Sequence, residues 1–102
     1  MNYKIPHAKP TDFIVRIGTE IGMSSASQRL AVEIINEAIA KKLTIGKDPS
    51  GLAAATLYLA GVIRNERKNQ NSIAKAAHVT EVTIRHNYKN LITTVGPSFI
   101  SR

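Results

Sequence analysis

The segment "NQNSIAKAAHVTEVTIRHNYKNL", Asn69 to Leu91, reads as two short helices with a hitch at Ala77-His78-Val79. A helix-turn-helix needs a small residue where its helices cross and, four positions later, a turn residue that tolerates a left-handed backbone. An apolar residue follows the turn, and a further apolar residue anchors the second helix. Counted from Gln70, these requirements fall on Ala74, His78, Val79 and Ile84. Three of the four are met directly. His78 stands where glycine is usual, although histidine is among the residues enriched at positive φ.

The first helix spans Gln70 to Ala77 and should bury Ile73, Ala74 and Ala77. Thr80 caps the second, in which Val79, Ile84, Tyr88 and Leu91 should point inward. That leaves Glu81, Val82, Arg85 and His86 outward, with Thr80 and Thr83 near the start. Such a helix docks its N-terminal half in the major groove. There Arg85 can pair with guanine O6 and N7, and Val82 and the Thr83 methyl can meet a thymine methyl. The base-reading candidates are therefore Val82, Thr83, Arg85 and His86. The phosphate-contact candidates are Arg64, Arg67, Lys68, Gln70, Asn71, Lys75, Thr80 and Lys89.

Upstream, "DFIVRIGTEIGM" sets Phe13, Ile14, Ile17 and Ile21 at three- and four-residue steps after a capping Thr11, which predicts a first helix ending near Gly22. In "SSASQRLAVEIINEAIAKKL", Ser24 or Ser25 opens a second helix and Lys41 and Lys42 close it. Its expected buried stripe is Leu30, Ala31, Ile34, Ile35, Ala38 and Ile39. Asp48 and Pro49 start a third, "DPSGLAAATLYLAGVIR", apolar nearly all round and rich in alanine. A helix of that kind is surrounded by others, so it is the expected central post. Residues 1–10, with two prolines and no helical period, read as a linker or arm. Residues 11–95 form the domain, with the helix-turn-helix at about 70–92, and 96–102 are a C-terminal tail.

A chain of 102 residues with 43% hydrophobic content supports one core without a staple. It has no cysteine, which excludes disulfides and cysteine-ligated zinc. His7, His78 and His86 are dispersed, so no metal site is expected. Fourteen Lys and Arg against seven Asp and Glu give a net charge of +7, pointing to nucleic acid. The longest apolar stretch, Leu52 to Ile63, is too short to span a bilayer, and Met1 to Lys9 has no apolar signal core. No nucleophile with a base, carboxylate pair or glycine-rich phosphate loop suggests an enzyme, and no cofactor is implied.

Two longer patterns carry a family likeness. "GKDPSGLAAATLYLAG" (Gly46 to Gly61), followed by the "Q…IA…A…VTEVTIR…YK.L" pattern from Gln70 to Leu91, resembles the second cyclin-like repeat of the archaeal transcription factor B and eukaryotic TFIIB family. "SQRLAVEI" and "PTDFIVRIGTEIGM" extend the resemblance over roughly residues 10 to 95. It implies an all-α, five-helix cyclin-like fold with a C-terminal helix-turn-helix. It also implies binding to double-stranded promoter DNA at the B recognition element, upstream of the TATA box, beside the TATA-binding protein. Val82 and Arg85 fall on family positions that face the bases.

The family's zinc ribbon, polymerase-entering linker and first repeat have no counterpart in this sequence, so RNA polymerase contact is expected only through such parts. The resemblance places the chain inside the cell, at the archaeal nucleoid or in a nucleus, and a monomer is expected. Competing expectations are a cyclin-fold adaptor that binds proteins and not DNA, and a two-fold symmetric repressor. The repressor would need a dimer helix that the sequence does not offer.

Overall fold

The structure is a computed structural model describing residues 9–100; the first eight residues of the arm expected at 1–10 and the last two of the expected tail lie outside the described residues. Six helices follow one another among the described residues: α1 (Pro10–Glu20), α2 (Ser25–Ala40), α3 (Pro49–Ile63), α4 (Gln70–Ala77), α5 (Glu81–Thr94) and α6 (Gly96–Ile100). The fold is all-α, with α3 packed against α1, α2, α4 and α5.

Local chemistry explains most boundaries. Asp48 caps α3, its carboxylate accepting from the Gly51 amide at 3.0 Å, and Pro49 occupies the first turn, where an N–H would have no partner. Ser24 caps α2 through the Ser27 amide at 3.2 Å. Helix α1 begins at Pro10, so Thr11, expected as its cap, lies inside the first turn instead. Its N-cap is Lys9, whose amide donates to Asp12 at 3.1 Å, and Pro10 supplies a preset φ for the first helical position.

The ends of α1 to α4 share one device. A residue with positive φ follows each: Gly22 (φ 75), Lys42 (φ 62), Asn65 (φ 61) and His78 (φ 60). After each, the next amide reaches back five residues, as Met23 to Gly18, Leu43 to Ala38, Glu66 to Gly61 and Val79 to Ala74. These bonds satisfy carbonyls that a helix end leaves open. In α2 the chain thus leaves the helix at Lys42, before Gly46.

Helix α3 buries Leu52, Ala53, Ala54, Ala55, Leu57, Leu59 and Ala60. Its buried Thr56 hydroxyl donates to the Leu52 carbonyl at 2.7 Å. The alanines let neighbours approach, and Ile14, Ile17, Ile34, Ile35, Ile73, Ile84 and Leu91 fill the space between helices.

One position expected in the core lies outside it. Ile39 is 42% exposed. Successive helical residues turn by about 100°, so Ala31, Ile34, Ile35 and Ala38 share a narrow arc, and Leu30 and Ile39 fall on its two edges. Leu30 is half-buried there.

Regular structure also runs past Gly96, where the sequence pointed to its end. Residues Gly96–Ile100 form α6 against α5, and Val95 and Phe99 are buried. Proline at the second position of a helix disturbs nothing, and the apolar Phe99 gives the turn something to bury.

Candidate nucleic-acid interface

The α4–α5 pair is positioned from below by α3. Ile84 is fully buried, Leu91 is 1% exposed and Val79 is half-buried. Tyr88 stacks edge-on against Tyr58 of α3, with ring centroids 5.1 Å apart. A Cβ on Gly51 would stand 3.0 Å from the Thr83 methyl and 3.4 Å from the Asn87 amide nitrogen, so this glycine lets α5 lie close against α3. At the turn, His78 adopts φ 60 and ψ 42. The histidine therefore takes the left-handed conformation that the spacing demanded, at a steric cost on the order of 1 kcal/mol.

Thr80 caps α5, its Oγ1 accepting from the Thr83 amide at 3.2 Å. From there Val82, Arg85, His86 and Lys89 follow at three- and four-residue steps, all exposed. Val82 is 65% exposed, an apolar group presented to solvent by a helix otherwise polar on that side. These four residues border an open depression of about 440 Å³ that also takes in Gln70 of α4 and Tyr58 and Tyr88.

Thr83 sits apart from that row. It is half-buried, with its methyl toward Gly51 and its hydroxyl 3.1 Å from the Thr80 hydroxyl. Of the base-reading candidates it is drawn furthest into the fold.

Two phosphate-contact candidates are tied to α5. Gln70 accepts a hydrogen bond from Arg85 Nη1 at 3.2 Å, and Asn71 donates through its side chain to Glu81 at 3.1 Å. Glu81 and Arg85 also form an ion pair at 3.7 Å. Lys68 and Lys75 line a different depression, of about 450 Å³, with Asn69, Ser72 and Ala76 and with Glu20 and Ile21 at the end of α1. Arg64 and Arg67 are exposed on the α3–α4 connection. The basic candidates thus fall in separate groups and do not make one cluster.

The basic connection is pinned by Glu66, a residue that no motif in the sequence singles out. Its carboxylate accepts from the Ser24 amide at 2.9 Å, from the Ser24 hydroxyl at 2.7 Å, and from the Ser27 hydroxyl. The Ser27 hydrogen bond, then those from Ser24, hold its pKa down from the usual 4.5 to about 2; the nearby Lys68 charge acts the same way and burial opposes it. No spacing rule reveals a partner 42 residues away. Tyr58 was missed for a related reason, because its apolar neighbours on α3 mark it as core.

Among the described residues no cluster of His, Asp and Glu could hold a metal ion, and no helix is long and apolar enough to cross a membrane.

Residues 3–94 match the model of the transcription factor TFIIB repeat. The chain is 46% identical over 87 residues to transcription initiation factor IIB 2 of Thermococcus kodakarensis, covering 85% of this chain and 28% of that protein. It is 44% identical over 91 residues to transcription initiation factor IIB of Sulfurisphaera tokodaii, covering 89% and 30%. The same name in Pyrococcus horikoshii accompanies 44% identity over 88 residues, 86% and 29%. The chain thus spans about three tenths of the length of the relatives it matches.

Proposed function

Because the chain belongs to the transcription factor TFIIB repeat family, a family of initiation factors and not of enzymes, we propose that it acts in transcription initiation by reading promoter DNA. In this reading α5 enters the major groove upstream of the TATA box, at the B recognition element, and the domain joins the TATA-binding protein on the same DNA. Polymerase recruitment belongs to other parts of such a factor. The work is done where promoters are, at the archaeal nucleoid or in a nucleus.

The observation that carries this reading is the exposed row Val82, Arg85, His86 and Lys89. An arginine and an apolar group side by side on the first turns of a helix-turn-helix recognition helix match a guanine edge and a thymine methyl. His86 adds a third base-facing group, and Thr83 contributes at the edge of the row. Lys89, at the end of the row, and Gln70, Asn71 and Thr80 beside it suit phosphates next to the groove. Lys68, Lys75, Arg64 and Arg67 lie further off, as contacts to a bent or flanking duplex would require.

The test is binding to a labelled TATA promoter fragment, with the upstream element intact or scrambled, with and without TATA-binding protein, across a salt series. Preference for the intact element that grows with the partner present is the expected result. Salt-sensitive binding without preference would reject sequence reading, and no DNA binding would favour a cyclin-fold protein adaptor.

A further inference from the structure

Four polar side chains are linked across the mouth of the helix-turn-helix. Arg85 Nη1 donates to Gln70 Oε1 at 3.2 Å and lies 3.7 Å from Glu81 Oε1, while Glu81 Oε2 accepts from Asn71 Nδ2 at 3.1 Å. The Glu81 carboxylate therefore has one oxygen toward the arginine of its own helix and the other held by the first turn of α4. An acid in the first turn of a helix is favourable by itself, and an (i, i+4) partner adds to that. Neither effect calls for two residues of α4 to reach across the turn.

Resting on the reading of α5 as the base-contacting helix, we propose that Glu81 is a specificity-determining residue that acts through Arg85, with Gln70 and Asn71 of α4 positioning the pair. The guanidinium offers five N–H groups in a planar fork. With Nη1 engaged toward Gln70 and Glu81, its other edge is left to DNA in a fixed orientation. A guanine presents O6 and N7 together and takes two donors from such a fork. A backbone phosphate approaching Arg85 must instead compete with an adjacent carboxylate of like charge to itself. Glu81 thus weakens contact with any DNA and weakens the non-specific contact more, so discrimination comes from penalising the wrong partner.

The experiment measures affinity for promoter duplexes with the upstream element intact or scrambled, in the presence of TATA-binding protein, for the unmodified protein, Glu81→Gln, Arg85→Ala and the double variant. Glutamine keeps the shape and an acceptor oxygen while removing the charge. Glu81→Gln is expected to bind both duplexes more tightly and to lower the intact-to-scrambled ratio about two- to fivefold, the size of an exposed ion-pair effect. Its salt dependence on scrambled DNA should steepen. In the Arg85→Ala background the substitution should leave the ratio unchanged. A merely structural role would weaken both duplexes together. If Arg85→Ala collapses the ratio and Glu81→Gln leaves it intact, the inference is overturned while promoter reading stands. If Arg85→Ala itself leaves the ratio unchanged, base reading through Arg85 falls, and the inference falls with it.

Discussion

Glu66, on the connection after α3, accepts hydrogen bonds from both the amide and the hydroxyl of Ser24, the N-cap of α2. One carboxylate thus supplements a helix cap and fixes the segment that carries Arg64, Arg67 and Lys68 toward α4. A negative charge at that end also suits the helix dipole.

The pH dependence follows from this contact. In the unfolded chain Glu66 takes up a proton near its usual 4.5, whereas in the folded chain it resists until about 2. Its contribution to stability is complete above about 4.5 and is lost as pH falls toward 2. Denaturant melts at a series of pH values should show stability declining through that window. Glu66→Gln should lower stability at neutral pH and flatten this part of the curve.

Gly61 is expected to tolerate no side chain. A Cβ there would stand 2.7 Å from the Glu66 carbonyl oxygen and 3.0 Å from the Met23 terminal methyl. Alanine is favoured over glycine in a helix by about 1 kcal/mol, but the backbone oxygen cannot move without disturbing the Glu66 cap. Gly61→Ala should cost about 1–3 kcal/mol net in chemical denaturation. An unchanged or raised midpoint would refute this.

His78→Gly should stabilise the protein. At φ 60 the histidine bears a steric cost that glycine does not, partly offset by the greater freedom of glycine in the unfolded chain. A gain of about 0.5–1 kcal/mol is expected. Affinity for DNA should be unchanged, since the turn keeps its shape.

Arg85→Ala and Lys89→Ala should differ in kind. The first should cost about 1–3 kcal/mol on the preferred element and flatten sequence preference; the second should weaken all duplexes alike and reduce the salt slope by about 1. Titrations on intact and scrambled promoter fragments separate the two patterns.

The turn at His78 and the outward row on α5 were both legible in the sequence. Small-residue spacing, capping side chains and apolar steps of three and four act between residues one helical turn apart. The same local signals located α1 to α5 and marked α3 as the central post. Gly51 and Gly61 left no such signal of their role, because what they admit comes from a distant part of the chain.

Local pattern therefore determined the segments that form α1 to α5, where the chain turns between α4 and α5, and which side of α5 faces out. Tertiary packing decided the rest. It set Glu66 on Ser24 and Ser27, drew Thr83 toward Gly51, left Ile39 at the edge of its stripe, folded Gly96–Ile100 back as α6, and linked Gln70 and Asn71 to the first turns of α5. The physical reason is range. A helix forms on hydrogen bonds that reach four residues along the chain, whereas a carboxylate finds a distant serine, or an arginine a glutamine, only after packed helices have fixed where each side chain begins.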